Sequence, residues 1–478
     1  MRVKVATVAW AALLIGMLLW PLVHPGALLY RDMAVLAHPA LTESALGFGD
    51  LPARNAPQDG LLALVGMVAD ASWFARLLLV ASAAFGAYGA VCVARKVEST
   101  PLATLLAVTM TVANPFIVER LLQGHWSLCI AAWLLPGIAV WSLEGRWETL
   151  LPAMWLASLT PTGAVIALVV ALVAQYRHLT LLYGIVVSLP WLVPSVLSSP
   201  TALPQGASMF AARAEHLVGT AGALVGLGGI WNAAAVPASR EAGFALAGVA
   251  LFAILLTRIR SIPRRFAALL AIGILAPLAM ALLPSLAEFA VAHLPGAALF
   301  RDSQKLVILA IAPCVFLAAS LRPRALAASA LVFAALQVWD APMAVEKLAP
   351  VPEPAISLPR DRDVFLPHLT TLALIEGTPT VNPLSKAAPV VENGELRVDG
   401  VLVDAPAERF VAAHERYKQG DTEGLRELGI GAIYADGTLT TIGPAAPRSA
   451  QWWLGFALLM VWISAGLVAL GAWRIPRR

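Results

Sequence analysis

The ionisable residues of this 478-residue chain are few, and those that could do chemistry fall near the ends of apolar runs. Asp32 follows the first such run in "LLYRDM", beside Arg31. Glu119, Arg120 and His125 stand together in "NPFIVERLLQGHW", and Arg301, Asp302 and Lys305 in "LFRDSQKLV". An aspartate facing a cavity can deprotonate an acceptor hydroxyl as a general base. Arginine offers a planar fork of donors that suits a phosphate, so Arg120, His125 and Arg301 are candidate phosphate holders, with Lys305 a further cation. Each also has a plainer reading. Arg31–Asp32 could be an interfacial charge pair, Glu119–Arg120 a pair across one helix turn, and His125 a structural hydrogen-bonder. Arg301 and Lys305 could be basic side chains reaching toward lipid headgroups. Ionisable residues close to membrane depth are functional candidates by default. Trp73 and Trp231 could stack on a sugar ring, whereas most of the 15 tryptophans read as interfacial belts. No zinc spacing, nucleophile elbow or Walker motif occurs, which argues against a primary pump.

These residues must be positioned by membrane helices. The chain is 59% hydrophobic and 13% charged, about half the ~25% charge of a soluble protein. That composition excludes a cytosolic enzyme, a nucleic-acid binder and a disordered scaffold. Cys92, Cys129 and Cys314 lie inside apolar runs and read as small packing residues. A helix of roughly 20 apolar residues crosses a bilayer. The first such run, Val5–Val23, lacks a cleavage site and reads as a retained anchor. Further runs at 73–94, 101–118, 126–143, 179–196, 243–257, 266–283, 304–320, 325–339 and 452–472 bring the expected count, with 150–175, to about 11.

Basic clusters flag cytoplasmic loops: Arg2/Lys4, Arg95/Lys96, Arg146, Arg177, Arg258–Arg265, Arg322/Arg324 and Arg474–Arg478. Only Glu98, Glu144 and Glu148 of the 29 acidic residues share those loops. The pattern predicts cytoplasmic N- and C-termini, and it closes only if 150–175 enters the membrane and returns to the same side. The break falls at Thr160-Pro161-Thr162-Gly163, where Pro and Gly stop one helix and start another. A pair of short helices is expected there, a single kinked helix being the alternative.

The expected architecture is an α-helical polytopic membrane domain over 1–339, a small external α/β domain over 340–448, and a last helix with a basic tail over 449–478. The middle segment holds 16 Asp/Glu against 10 Lys/Arg and no spanning run. A Pro-rich linker leads to strand-like "DVFLP", a loop "EGTPTVNPLS", strand-like "ELRVDGVLV", a polar helix from about Pro406 to Leu428, and the apolar strand "GIGAIYAD". Two other segments are expected outside. In 24–72, "DGLLALVGMVADAS" looks like an amphipathic helix lying on the membrane. In 198–242, Gly222-xxx-Gly226 reads as a helix-packing face.

An Asp just after the first span, many spans, short broken helices and an external domain near the C-terminus resemble the GT-C superfamily of polyprenyl-phosphate-dependent membrane glycosyltransferases. The chain is most similar to Ala-rich actinobacterial members of the arabinofuranosyl- and mannosyltransferase kind. "NPFIVERLLQGHW", "FAARAEHLVGTAGALVGLGGIWN", "LFRDSQKLV" and the tail "GELRVDGVLVDAPAERF" through "GIGAIYAD" carry the likeness. The resemblance implies a plasma-membrane enzyme with Asp32 as catalytic base. It implies a sugar on a polyprenyl phosphate as donor and a lipid-linked or cell-wall glycan as acceptor. Arg120, His125 and Arg301 match the donor phosphate-binding role by position, with Arg31, Glu119, Asp302 and Lys305 in support. Several members pair two aspartates in that loop; "YRDM" has one, so a divalent metal stays open and no metal ligand is assigned. The same features leave room for a non-catalytic flippase or assembly factor for lipid-linked glycans.

Overall fold

The structure is a computed structural model and describes residues 2–197, 203–294, 296–355 and 357–472. Arg474, Arg477 and Arg478, and the side chain of Arg2, which the charge pattern puts on the cytoplasmic side, lie outside the described residues. Helix α1 (Arg2–Leu19) leads to a hairpin of β1 (Leu28–Tyr30) and β2 (Met33–Val35), then to α2 (Gln58–Gly66) and α3 (Ala71–Lys96). Next come α4 (Pro101–Val112), α5 (Pro115–Gln123), α6 (Trp126–Glu144), α7 (Trp147–Ala157), α8 (Pro161–Ala174) and α9 (His178–Leu197). After them follow α10 (Gly219–Val225), α11 (Ala238–Glu241), α12 (Ala245–Leu256), α13 (Arg264–Leu282), α14 (Pro284–His293), α15 (Ile308–Ala319) and α16 (Arg324–Leu336).

Among the described residues, 8 helices are long and apolar enough to cross a membrane, against the eleven or so that hydropathy predicts. The difference lies in Pro161–Ala174, Ala245–Leu256 and Ser303–Ala319, which are apolar but shorter. The 12 residues of α12 span about 18 Å, well under a hydrocarbon core of about 30 Å. The break predicted at Thr160–Gly163 is present: α7 has 11 residues, α8 has 14, and Pro161 opens the second arm. The last helix, α21 (Ala450–Ala472), packs on α7, the first arm of this pair, and on α9. Trp155 donates to the Trp462 carbonyl at 3.0 Å, and Trp462 donates to Ser158 Oγ at 2.8 Å.

Helix α6 is the hub, buried from Trp126 to Ser142. It crosses α3 at small residues: a Cβ on Gly89 would stand 2.6 Å from Gly137 Cα, the close backbone approach that membrane helices use in place of a hydrophobic drive. The 26 residues of α3 cover about 39 Å, so its two ends mark two faces of the bundle. Its first residue joins the segment after the β1–β2 hairpin, with Ala71 N bonded to Ala37 O at 2.9 Å. Basic side chains gather at its other end, where Lys96 meets Glu144 at 4.0 Å, Arg146 bonds Tyr88 at 3.1 Å, and Arg322 bonds the Val97 carbonyl at 2.7 Å.

Beyond α16 the chain changes character. It runs through α17 (Ala341–Ala344), β3 (Asp363–Phe365), β4 (Leu372–Ile375), β5 (Thr378–Val381), α18 (Leu384–Ala387), β6 (Leu396–Val398) and β7 (Val401–Asp404). Then follow α19 (Glu408–Lys418), α20 (Thr422–Glu427), β8 (Ile430–Ala435) and β9 (Thr438–Thr441), before α21. Strands β3 and β8 pair in parallel and β8 and β9 antiparallel, with α19 and α20 forming the crossover. Val364, Phe365, Phe410, Leu425 and Ile430 belong to a core separate from that of the helix bundle. The expected single polar helix is two, because the Gly420–Asp421 turn interrupts it and Asp421 caps the second. "EGTPTVNPLS" contains a strand, not only loop, because Glu376-Gly377 supply the two left-handed residues of a tight β4–β5 turn.

This unit docks on the segment after β2. Lys386 reaches Asp59 at 2.6 Å, Ser44 donates to Glu392 at 2.7 Å, and Arg409 lies 3.5 Å from Asp50. Helix α2, packed on α3 and α21 and tied to this unit through Asp59, is buried over most of its length, and the expectation of a helix lying on the membrane is corrected. The Gly-rich stretch packs as its spacing suggests: a Cβ on Gly248 of α12 would stand 2.8 Å from Gly226 Cα.

Candidate active site

The β1–β2 hairpin has a two-residue turn, with Tyr30 paired to Met33 and Arg31-Asp32 between them. Arg31 takes a left-handed φ of 53°, and its guanidinium turns away from Asp32 to the Ala234 carbonyl at 3.1 Å. Beneath the turn lies Gly124, where α5 stops. Its φ of 85° suits the residue that ends a helix. A Cβ there would stand 2.6 Å from Tyr30 O and 2.7 Å from Asp32 N. The glycine thus both ends α5 and lets the hairpin turn seat on that end, with Asp32 N bonded to Gln123 O at 3.2 Å.

Helix α5 begins cleanly, with Asn114 accepting from Ile117 N at 3.1 Å and Pro115 in the first turn, where its missing N–H costs nothing. All nine of its residues are buried. From it and the loop that follows, Gln123 and His125 reach up to Asp32. Gln123 Nε2 donates to Asp32 Oδ2 at 3.0 Å, and His125 Nε2 lies 2.9 Å from the same oxygen. Asn232 orients Gln123 by donating to its Oε1 at 2.8 Å. On the other side of the imidazole, Arg120 Nη1 stands 3.1 Å from His125 Nδ1. Arginine can only donate, so Nδ1 accepts and Nε2 carries the proton toward Asp32. Arg120 is itself held by both oxygens of Asp302, at 3.0 Å for Nη2 to Oδ1, and by Gln304 Oε1.

Burial pushes the Asp32 carboxyl up, but the contact with His125, the Gln123 bond and the charge of Lys305 outweigh it and hold the group below the ordinary carboxylate value. The side chain keeps 40% of its surface accessible, so an ionised oxygen faces outward from a fixed frame. Burial pulls the His125 imidazole below its ordinary value, and Lys305 and Arg120 add to this against the opposite pull of Asp32. A neutral ring agrees with the tautomer that Arg120 imposes.

Asp32, Arg120, His125 and Asp302 therefore form one connected row. Lys305 is different: among the described residues, no carboxylate lies within ion-pair distance of its ammonium and no hydrogen bond engages it. It nonetheless sits in the electrostatic field of Asp32, Asp302, Arg120 and Arg301. Glu119 faces the other way from Arg120. It accepts from Ile230 N at 3.0 Å and Gly229 N at 3.3 Å, and lies 3.6 Å from Arg240, which also chelates Glu215. These three charges are fully buried and pin the 213–240 segment to α5. Arg301 is engaged outside the row, by Asp404 of β7. Trp231 meets Phe210 edge-on at 4.9 Å, and Phe210 lies 4.5 Å beneath Arg301. Trp73 stacks on Arg76 at the start of α3.

Sequence reasoning missed Gln123, Asn232 and Gln304, polar but uncharged and so not conspicuous among ionisable candidates. It also missed Arg54, Glu215, Arg240 and Asp404, whose partners lie far along the chain. The Gly-His step of "LLQGHW" was the available signal, since a glycine between a helix and a polar residue marks a close approach. Among the described residues, no group of three or more His, Cys, Asp or Glu side chains is placed to hold a metal ion. No family model matches this sequence, and no curated protein or solved structure matches it.

Proposed function

We propose that this chain is a membrane glycosyltransferase of the GT-C kind. It moves a sugar from a polyprenyl-phosphate donor to a cell-envelope glycan or glycolipid at the outer face of the plasma membrane. The observation that carries the reading is the pairing of an accessible, rigidly held Asp32 carboxylate with the unpartnered ammonium of Lys305. A sugar leaving phosphate needs these two things: a base for the acceptor hydroxyl and a cation where negative charge grows.

In this reading Asp32 takes the proton of the acceptor hydroxyl as its oxygen attacks the anomeric carbon. The bond from that carbon to the phosphate oxygen breaks, and the phosphate departs with the electron pair, inverting the centre. Lys305 faces the phosphate. Arg120 and His125 act by positioning, since Arg120 is already neutralised by Asp302 and sets the tautomer of His125. The outer location agrees with the basic side chains of Lys96, Arg146 and Arg322 at the opposite end of the bundle, as the positive-inside rule requires. Residues 340–448 are then external and both termini cytoplasmic. No nucleotide is needed on that side, because the lipid carries the activated sugar.

The test is transfer from polyprenyl-phosphate sugars in membranes that hold the chain, set against Asp32→Asn at equal expression. Loss of transfer with the variant supports the assignment. Lipid-linked sugar that changes leaflet with no glycosidic bond formed would overturn it in favour of a flippase.

A further inference from the structure

The cluster around Asp404 has a charge balance unlike the other contacts that dock residues 363–442 on the rest of the chain. At Lys386 one cation faces Asp59 and lies in the field of Glu392, and at Arg409 one cation faces Asp50 and Asp363. Those contacts have carboxylates in excess. At Asp404 the excess is reversed. Arg301 binds it as a fork, Nη1 to Oδ1 at 2.5 Å and Nη2 to Oδ2 at 2.8 Å. Arg54 binds it as a second fork, Nη1 to Oδ2 at 3.1 Å and Nη2 to Oδ1 at 3.3 Å. One carboxylate thus answers two guanidinium groups, and one positive charge is left over.

Two planar forks converging on one small anion are the geometry that recognises a phosphate, which has more acceptor oxygens and more charge than a carboxylate. Arg301 is steadied by the Phe210 ring 4.5 Å beneath it, and it lies in the field of the unpartnered Lys305. The carboxylate is 3% exposed, whereas Arg54 is 46% exposed, so the cluster has an open side. Asp404 ends the β6–β7 hairpin, a two-stranded ribbon with Asp399–Val401 exposed at its tip. Such a ribbon has little stability of its own. It rests on the turn at Pro204–Phe210, with Leu203 N bonded to Val403 O at 3.3 Å.

We infer that Arg54 and Arg301 form a binding site for a phosphate ester, in which Asp404 is a resident stand-in that the ligand phosphate displaces. The hairpin then acts as a latch: the site opens when phosphate arrives and closes on Asp404 when it leaves. The inference rests on the transferase reading only for the source of the phosphate, which would be the lipid headgroup.

The test is a calorimetric titration of the purified full chain. One arm uses inorganic phosphate in detergent, and the other uses phosphatidylcholine nanodiscs with and without polyprenyl monophosphate. Asp404→Asn should bind the phosphate probe about tenfold more tightly than the unaltered chain, since a charged competitor has been removed. Adding Arg301→Gln should abolish that gain. Tighter binding in both arms assigns the site to phosphate itself, and in the nanodisc arm alone to the lipid headgroup. Equal or weaker binding by Asp404→Asn in both arms would make the cluster a tether and overturn the inference. Arg54→Gln guards against a variant that fails to fold, since it keeps the Asp404–Arg301 pair and a balanced charge. It should lose the response to phosphate, and retention would overturn the latch equally. Binding is read without any sugar transfer, so tighter phosphate binding in a chain with no transferase activity would retain the latch and defeat only the transferase reading.

Discussion

His125 stands between Asp32 and Arg120, 2.9 Å from the carboxylate through Nε2 and 3.1 Å from the guanidinium through Nδ1. Because Arg120 can only donate, the ring presents its one proton to Asp32. The candidate base is therefore held by two neutral donors, His125 and Gln123, rather than by a neutralising cation in contact. That keeps Asp32 charged and oriented while one face stays accessible.

The pH dependence follows. Asp32 sits below the ordinary carboxylate value because the His125 and Gln123 bonds outweigh burial. Its ionised form should persist as pH falls below about 4, the usual carboxylate value, and the acid limb of the transfer rate should lie there or lower. His125→Ala removes the main lowering contact and leaves burial to dominate, so the acid limb should move to higher pH. A pH–rate profile of the variant checks this, and an unmoved limb would separate His125 from the ionisation of Asp32.

Lys305 offers a way to separate function from stability. An unpartnered ammonium among buried groups costs free energy in the folded state. Lys305→Met should leave thermal stability unchanged or raised, while transfer falls by about 100-fold or more. Loss of stability together with transfer would identify the lysine as structural.

Gly124 is where sequence and site meet. A side chain there conflicts with Tyr30 O and Asp32 N, and its φ of 85° disfavours other residues by about 1–2 kcal/mol. Gly124→Ala should lower stability by about 1–3 kcal/mol and displace the hairpin turn, so transfer should fall further than the stability loss explains. Melting temperature and rate measured on the same preparation decide this.

Much of the frame was legible because its signals are local. The apolar runs, the Pro-Gly break at Thr160–Gly163 and the strands around Val364 and Ile430 each come from a few adjacent residues. Clustering at the ends of apolar runs also brought Asp32, Arg120, His125 and Asp302 forward as candidates. What could not be read was pairing. Nothing near Arg120 announces that Asp302 neutralises it from 182 positions away, or that Arg301 is held by Asp404. Helix length was hidden for a related reason: Ala245–Leu256 is as apolar as the long helices, and only its helix ends reveal how short it is.

The buried Glu119–Arg240–Glu215 group makes a prediction about assembly. Arg240→Met would strand two buried carboxylates and should destabilise the protein by about 3–5 kcal/mol. Adding Glu119→Gln and Glu215→Gln should recover part of that loss. Yield and thermal melting of the single and triple variants measure it.

Docking of the α/β unit should respond to pH through Glu392. Burial pushes this carboxyl up to about 7, against Lys386 and Ser44. A carboxyl raised in the folded state contributes stability that is full below its unfolded value of about 4.3 and is lost as pH rises toward 7. Glu392→Gln should therefore flatten the pH dependence of stability between about 4.3 and 7 and raise stability at pH 8, as thermal melting across that range would show.

The most direct measurement is the rate of sugar transfer from a polyprenyl-phosphate donor by the full chain and by Asp32→Asn, with donor binding followed in parallel. If Asp32 is the base, the variant binds donor as before and its rate falls by about 100- to 10,000-fold. An undiminished rate in Asp32→Asn, in membranes where the unaltered chain transfers sugar, would contradict the assignment of Asp32.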